Sequence, residues 1–466
     1  MTTERIGSWI AATSPNFLEP LWLRFRASPL SVRLARGVFW SFVGAVIARG
    51  LGVVSSIIVA RMLGINAFGE FTMIQSTVGL FGTFAGLGLG ITATKYVAEL
   101  RELHPVRCGR VVGLILTVAA AGGLIAGAAL VLFAPWVATY TLAAPKLAPL
   151  LRAGSLLVLF STLQGVYSGA LGGFEAFKRV AHVNWVGAIL GTPLLVVCAY
   201  TGRLEGAVWG NVVQIALGCA IGHWALAQEA GKRGVKLCYA LDLRDFSILW
   251  RFSLPAFLSS TLVGPVNWIC STFLAHQKEG FREVALMNAA GQWRNFLIFL
   301  PATMTGVLVP MFSSLYHAGN RAEFEKLLRR NMVINVGTAL VLSVPISLLA
   351  TVILDWYGPG FRRGVPVFLL AVFGTAVTAA ANLFSRAMQA TGRAWMEMAF
   401  NALWATALIL GCFLLVPTYK AVGLATSHVL AAFALVIWQW LLVRRLLSKA
   451  SAASIELRGS EPARSG

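Results

Sequence analysis

The sequence predicts an all-α polytopic membrane protein of about twelve transmembrane helices, with fourteen as the alternative, in two six-helix lobes around a central cavity. Three observations predict this fold class. Of the 466 residues, 58% are hydrophobic and only 12% are charged, about half the charged fraction of a soluble domain. Apolar stretches of roughly 20 residues, enough to cross a hydrocarbon core, recur throughout the chain. Loops rich in Lys and Arg alternate with loops poor in them.

Hydropathy defines the spans in order. They are predicted at residues 38–61, 71–94, 111–133, 148–171, 182–201, 206–228, 246–274, 285–313, 332–354, 366–390, 397–416 and 421–443. The third and fourth spans are separated because the prolines of the stretch A-P-W…A-A-P-K-L-A-P make a poor helix interior.

The two halves of the chain show weak internal similarity at a shift of 217 residues. At this shift Asn184 meets Asn401 and Gly206 meets Gly423. The shift aligns spans four, five and six with spans ten, eleven and twelve, as expected for two related six-helix halves. We predict an N-terminal cytoplasmic or interfacial segment, a first lobe, a basic cytoplasmic linker, a second lobe and a cytoplasmic tail. These domains cover residues 1–37, 38–228, 229–245, 246–443 and 444–466.

The basic residues predict the orientation. Of 38 Lys and Arg residues, 25 lie in the two ends and every second loop, whereas 9 lie in the loops between them. Cytoplasmic loops carry the excess of Lys and Arg. Both termini are therefore predicted on the cytoplasmic side of a bacterial inner membrane.

Four arginines remain inside predicted spans: Arg49, Arg251, Arg294 and Arg386. A central arginine costs about 2.5–3.5 kcal/mol on insertion scales, so it normally faces protein or a water-filled cavity. Guanidinium groups bind phosphate oxygens bidentately and stay charged, so such a cavity would suit a diphosphate. Arg251 and Arg386 lie nearer span ends, where snorkelling of the side chain explains them simply, and they are the weaker candidates.

Arg49 and Arg294 are the main candidates for this cavity. Arg49 lies near the middle of the first span, in A-V-I-A-R-G-L-G, far from either membrane surface. Arg294 lies in G-Q-W-R-N of the eighth span. Its neighbours Gln292 and Asn295 add polar groups that are suited to contacting phosphate or sugar.

Motifs for enzymatic chemistry are missing from the sequence. It contains no G-x-x-x-x-G-K-[ST] phosphate loop, no H-E-x-x-H and no G-x-S-x-G. Six cysteines and six histidines are scattered singly, without metal or disulfide spacing. The net charge of +20 comes from short loops rather than one face, which argues against nucleic-acid binding. We expect no catalytic residue, no metal and no cofactor.

Two stretches in order, A-R-M-L-G-I-N-A-F-G-E-F from Ala60 and A-G-L-G-L-G-I-T-A-T-K-Y-V-A from Ala85, resemble the opening of a known family. This family is that of the Wzx-type polysaccharide flippases, within the multidrug/oligosaccharidyl-lipid/polysaccharide exporter superfamily. The later segments A-L-G-G-F-E-A-F-K and A-M-Q-A-T-G-R-A resemble the family's turns after spans four and ten.

This resemblance implies alternating access around a central cationic cavity. The substrate would be a polyprenyl-diphosphate-linked oligosaccharide, moved from the cytoplasmic to the outer face for polysaccharide or lipopolysaccharide biosynthesis. Arg49 and Arg294 fit that cavity, and Lys95, where the family often has arginine, is a further weak candidate. Implied partners are the lipid-linked substrate, membrane lipids, and a polysaccharide polymerase with chain-length machinery.

Two other functions compete with flipping. An ion-coupled drug exporter of the same superfamily would prefer acidic residues in its cavity, whereas the carboxylates here lie near the predicted membrane edges. A membrane glycan polymerase or ligase would be expected to show a long outer loop with catalytic residues, but the predicted outer loops are short.

Overall fold

A computed structural model describes residues 29–238, 253, 257, 261–306, 308–391 and 394–459, and none of these residues belongs to a β-strand. The helices are α1 (Pro29–Leu63), α2 (Ile65–Gly86), α3 (Leu89–Leu100), α4 (Pro105–Trp136), α5 (Ala148–Gly173), α6 (Phe177–Lys232), α7 (Val263–Ala275), α8 (Gly280–Gly306), α9 (Val309–His317), α10 (Arg321–Leu348), α11 (Ala350–Tyr357), α12 (Val365–Ala390) and α13 (Ala394–Gly459). The predicted all-α class is confirmed.

The helices match the predicted membrane spans. Within the described residues, eight helices are long and apolar enough to cross a membrane, or nine if the pair α2 and α3, bent by 40°, counts as one span. Helix α6 has 56 residues, far more than the roughly 20 that one crossing needs, and both α6 and α13 contain two predicted spans. Helix α7 covers the end of predicted span 246–274, whose earlier residues lie mostly outside the described ranges. The protein is a multi-pass membrane protein.

The helices repeat at the predicted shift of 217 residues. Helices α5 and α12 are each 26 residues long and begin at positions 148 and 365. Helices α6 and α13 begin at positions 177 and 394, and each is broken at a basic residue. The break at Arg203 has φ 48° and ψ −127°, and the break at Lys420 has φ 48° and ψ −125°. The weak sequence similarity therefore reflects a structural repeat.

Glycines explain how the chain can turn sharply at the breaks in α6 and α13. A Cβ atom on Gly206 would lie 1.8 Å from the carbonyl oxygen of Cys198, and one on Gly423 would lie 2.4 Å from that of Leu415. Real Cβ contacts do not become this short, so only glycine fits where the returning helix crosses the preceding one. Gly206 and Gly423 are one of the residue pairs that the sequence comparison aligned.

Helix packing divides the described chain into two lobes. In the first lobe, α5 packs against α2, α3, α4 and α6, and α1 packs against α6. In the second lobe, α12 packs against α8, α10 and α13. The lobes meet where α8 lies against α1 and α2, and where α7 lies against α2. The predicted domain boundaries stay predictions, since α1 begins before residue 38, α13 continues beyond residue 443, and part of the linker lies outside the described ranges.

The bundle has two ends, which we name the Gly64 end, after the turn between α1 and α2, and the Leu100 end, after the last residue of α3. A single hydrophobic cluster, containing Phe68 of the first lobe and Phe361 of the second, joins the lobes towards the Gly64 end. At the Leu100 end the lobes have separate clusters, one around Val97 and Phe174 and one around Phe312. Within the described residues, the core clusters therefore join the lobes only towards the Gly64 end.

Direct contacts also hold the lobes together at the Gly64 end. The rings of Phe68 and Phe361 pack edge to face at 6.1 Å. The backbones of Gly69 and Phe281 approach so closely that a Cβ on Gly69 would lie 1.8 Å from the carbonyl oxygen of Phe281. The guanidinium of Arg61 also points to the second lobe, with Nη1 3.5 Å from the carbonyl oxygen of Trp356.

Fewer described contacts cross between the lobes in the half nearer Leu100. The hydroxyls of Thr92 and Ser253 lie 2.7 Å apart, and the rings of Phe84 and Phe257 pack edge to face at 6.1 Å. Both contacts come from isolated described residues of predicted span 246–274. The space between the lobes is therefore bounded most tightly at the Gly64 end.

Candidate functional site

A cavity of about 320 Å³ lies between the lobes, where α8 faces α2. Helices α2, α7, α8 and α13 line it, so both lobes contribute. We name it the central cavity. Its lining is Thr72, Met73, Gln75, Ser76, Asn267, Ser271, Leu274, Val284, Met287, Asn288, Gly291, Gln292, Arg294, Asn295, Leu424 and His428.

Helix α8 supplies more of the lining than any other helix, through its periodicity. Asn288, Gln292 and Asn295 are spaced by four and three residues, which places them on one face of a helix. Arg294 lies on the adjoining face, three residues after Gly291. A Cβ on Gly291 would meet nothing within 4 Å, so the glycine leaves space beside the arginine. Three of the four predicted site residues, Gln292, Arg294 and Asn295, are thus brought together.

Arg294 gives the central cavity its positive charge, and His428 lies in the same lining. Both also line an adjoining pocket of about 40 Å³ between α8, α12 and α13. Among the described residues, no Asp or Glu lines either space. An arginine in a recess without a carboxylate is suited to pairing with an anion that arrives from outside the protein.

Arg49, the fourth main candidate, lies beside the central cavity rather than in its lining. Its Nη1 donates a hydrogen bond of 2.8 Å to the carbonyl oxygen of Asn295. Its guanidinium carbon lies 4.6 Å from the ring centroid of Phe299, a cation–π distance. Arg49 therefore connects α1 of the first lobe to α8 of the second and stays exposed on its other side.

The weaker candidates lie elsewhere. Arg386 is exposed towards the Leu100 end, where Nη1 donates to Oε1 of Gln389 at 2.9 Å. Lys95 is also exposed, and its Nζ lies 5.0 Å from the ring centroid of Tyr96. The structure brings neither residue into the central cavity. Arg251 lies outside the described residues.

Sequence reasoning missed His428, Asn288 and Gln75 as lining residues. The signal was available, because all three lie inside predicted spans, where a polar side chain is costly unless it faces protein or a cavity. We applied that argument to charged residues only. His428 was grouped with scattered histidines, since the 134 positions that separate it from Arg294 conceal their proximity.

Comparison with known proteins places this geometry in a family. Residues 34–316 match the model of the polysaccharide biosynthesis protein family. The EPS I polysaccharide export inner membrane protein EpsE of Ralstonia nicotianae is 24% identical over 424 residues, which cover 89% of this chain and 93% of the relative.

Solved structures confirm the two-lobed fold. Lipid II flippase MurJ, in an inward closed conformation, superposes with a TM-score of 0.70 at 14% identity, covering 89% of this chain and 90% of that one. A multidrug resistance MATE family transporter of the MOP superfamily, in an inward-facing conformation, superposes with a TM-score of 0.68 at 15% identity, covering 89% of this chain and 99% of that one.

These relatives are named as export proteins, flippases or transporters and not as enzymes. The family match also agrees with the resemblance seen in the opening helices, and it extends through most of α9. Because that match covers well over half of the chain, the protein belongs to the polysaccharide biosynthesis protein family.

Proposed function

We propose that this protein exports polysaccharide precursors by flipping a polyprenyl-diphosphate-linked oligosaccharide from the cytoplasmic to the outer face of the inner membrane. The observation that carries the proposal is the central cavity between the lobes, which contains Arg294 and His428 and no described carboxylate.

The positive charge of the central cavity is complementary to the negative charge of a lipid diphosphate. Arginine stays protonated and presents a planar fork of donors to phosphate oxygens. Two such oxygens would approach Arg294, while Asn288 and Gln292 offer neutral donors and acceptors at the same level of α8. A ligand that carries both diphosphate and sugar would use both kinds of group.

The uneven closure of the bundle supports alternating access. The lobes share a hydrophobic cluster towards the Gly64 end and keep separate clusters at the Leu100 end. Rocking about the central cavity would exchange these arrangements. With the orientation that the positive-inside rule predicts, the Leu100 end would face the cytoplasm, where the lipid-linked precursor is made.

The names of relatives support the same substrate class. EpsE is named as a polysaccharide export protein, and MurJ is named as a lipid II flippase. A drug exporter is the second candidate, because the MATE transporter has the same fold. The cationic character of the central cavity favours an anionic substrate over the organic cations that such exporters would be expected to hold with carboxylates.

The test locates the precursor in the host after depletion of the protein. We expect lipid-linked oligosaccharide to accumulate on the cytoplasmic face while surface glycan is lost. Replacing the protein with the Arg294→Ala variant should reproduce this accumulation, and Arg294→Lys should restore part of the export, because lysine keeps the charge and loses the fork.

The opposite distributions would identify the other functions. Precursor that reaches the outer face and stays unpolymerised would point to a polymerase. Unchanged surface glycan together with new sensitivity to organic cations would point to drug export. Membrane abundance of each variant, measured on the same cells, separates a loss of transport from a loss of protein.

A further inference from the structure

A second chamber, of about 160 Å³, lies on the first-lobe side of the central cavity. Four helices surround it: α1, α2, α6 and α8. We name it the amide chamber because five of its lining residues are Asn or Gln. Its lining is Gly52, Ser55, Ser56, Val59, Phe68, Phe71, Gln75, Leu195, Asn211, Gln214, Asn288 and Gln292.

The five amides converge on this space without pairing inside the protein. Gln75, Asn211, Gln214, Asn288 and Gln292 are all half-buried. No side-chain hydrogen bond within the described part of the chain uses any of them. Because these five amides open onto one space and make no such bond, their donors and acceptors are available there for a ligand or for water.

The position of Gln214 shows that the chain makes room for it. A Cβ on Gly191 would lie 2.5 Å from Cγ of Gln214. The side chain of Gln214 therefore rests directly on the backbone of the preceding segment of α6. A larger residue at position 191 would displace this side chain, so the glycine gives Gln214 its place in the chamber lining.

The amide chamber and the central cavity share three of their lining residues. Gln75, Asn288 and Gln292 belong to both. The chamber's volume is roughly ten times what a single buried water requires, so it is more than a water site. One ligand can therefore place one group beside Arg294 and an adjoining group among the amides.

The two spaces differ in charge. The central cavity holds Arg294, whereas none of the residues that line the amide chamber is charged. Each amide offers both a donor and an acceptor, which matches sugar hydroxyls. Phe68 and Phe71 add apolar walls that can cover the C–H face of a sugar ring.

We propose that the amide chamber binds an uncharged sugar residue that adjoins the diphosphate, and that it selects against an acidic sugar at this position. The proposal rests on the proposed flipping of a lipid diphosphate. A uronic acid carboxylate would lose its hydration in the chamber and would find no cation there, which is unfavourable.

The test measures binding of three defined probes to the purified full-length protein in nanodiscs. The probes are polyprenyl diphosphate alone, the same lipid carrying N-acetylglucosamine, and the same lipid carrying glucuronic acid. We expect the N-acetylglucosamine lipid to bind about tenfold more tightly than the bare diphosphate, in line with one or two net neutral hydrogen bonds. The glucuronic acid lipid should bind no more tightly than the bare diphosphate.

Substitutions in the amide chamber test its contribution to binding separately from that of the central cavity. Asn211→Leu combined with Gln214→Leu should abolish the tenfold preference and leave binding of bare diphosphate unchanged. Gln164→Leu, the same change at a half-buried first-lobe glutamine outside the lining of the chamber, should keep the preference. Gln214→Lys should reverse the preference towards glucuronic acid, a gain that misfolding cannot produce.

The outcomes distinguish this inference from the proposed function. Equal binding of all three probes to the wild-type protein would overturn the inference and leave diphosphate binding standing. Tight binding of the glucuronic acid lipid to the wild-type protein would also overturn it. Failure of every probe to bind would overturn the chamber's role together with the proposed function.

Discussion

The Gly64 end and the Leu100 end of the bundle contain the same two lobes but pack them differently. Towards the Gly64 end, Phe68, Phe361 and Tyr357 are almost fully buried in one cluster shared by both lobes. At the Leu100 end, Phe174 and Phe312 are just as buried, yet each belongs to a cluster of its own lobe. Burial alone therefore does not tell whether a residue joins the lobes.

The comparison teaches where transport would act on the structure. Packing within each lobe persists at both ends, so each lobe can move as a body. The described contacts that a rocking motion must break are concentrated towards the Gly64 end, and they include the shared hydrophobic cluster, a ring pair, a close backbone approach and an arginine contact. If these contacts set the balance between two states, changing them should alter opening and leave the folding of each lobe intact.

Gly69→Val should have the largest effect on packing at the Gly64 end. Even a Cβ at this position would lie 1.8 Å from the carbonyl oxygen of Phe281, so the cost should exceed the about 1–3 kcal/mol of ordinary overpacking. We expect closure at the Gly64 end to fail and export to fall by roughly a hundredfold or more, at about 1.4 kcal/mol per factor of ten. Surface glycan measures the export.

Labelling reports the closure directly. A cysteine introduced at Ser76, which lines the central cavity, should react faster with an impermeant maleimide applied at the Gly64 end of the Gly69→Val variant. Gly79→Val on the same helix is the control, since a Cβ there meets nothing within 4 Å. Unchanged labelling and export in Gly69→Val would refute the role of this contact.

Arg49→Ala tests the contact between the lobes that lies midway between the two ends. Arg49 lies between them and joins the lobes through the carbonyl oxygen of Asn295. A hydrogen bond from a charged group contributes about 1.5–3 kcal/mol, so we expect export to fall roughly tenfold to a hundredfold. Arg49→Lys should show a partial defect, since it keeps the charge and loses the fork.

The control for Arg49 is another arginine inside a predicted span. Arg386→Ala removes an exposed arginine that donates a hydrogen bond to Gln389 of its own helix, and export should stay within roughly twofold of wild type, as for exposed charges in general. Equal export defects in Arg49→Ala and Arg386→Ala would argue that these arginines affect membrane insertion of the protein rather than the contact between the lobes.

Phe68→Leu should weaken the ring pair at the Gly64 end without introducing a clash. The edge-to-face contact with Phe361 at 6.1 Å should contribute about 0.5–1.5 kcal/mol beyond apolar burial. We expect the fraction open at the Gly64 end to rise roughly twofold to tenfold, measured by labelling of the cysteine at position 76.

The matched control is Phe312→Leu. Phe312 is also fully buried, and its ring lies 5.0 Å from that of Phe324 in the second lobe. Its loss should lower thermal stability and leave labelling of position 76 unchanged. If both leucine variants changed labelling equally, general loosening would explain the effect.

Arg61→Ala should have the smallest effect. Its contact with Trp356 is long, at 3.5 Å, and exposed, so about 1 kcal/mol or less is expected. Labelling at position 76 should rise by less than roughly fivefold. Arg152→Ala, which removes another exposed arginine at the Gly64 end, should leave labelling unchanged, and an effect larger than that of Phe68→Leu would reverse the proposed ranking.

Much of the fold was predictable, and the repeat shows why. Asn184, Gly206 and their partners at a shift of 217 gave only a weak signal, but they marked helix starts and breaks that the structure repeats at Arg203 and Lys420. Lipid forces each segment to satisfy its own backbone hydrogen bonds. Span positions therefore follow from local hydropathy without knowledge of packing partners.

The candidate site was predictable only where charge made a residue conspicuous. Arg294 stood out in the eighth span and lines the central cavity, and the contact between Arg49 and Asn295 joins two residues that were both named as candidates. Gln75, Asn211 and Gln214 are neutral and were not singled out within the long apolar spans. Their convergence depends on how α2 and α6 pack against α8.

The helices, their order, the related halves and the cationic residues within the spans could be predicted from the sequence, because each depends on composition or spacing along a local segment. Three features required the packed structure: the end of the described bundle that joins the lobes, the contact of Arg49 with Asn295 across 246 positions, and the five amides that line one chamber next to the central cavity. These features depend on how distant helix faces pack against one another, and hydropathy specifies that a face is buried but not which face it meets.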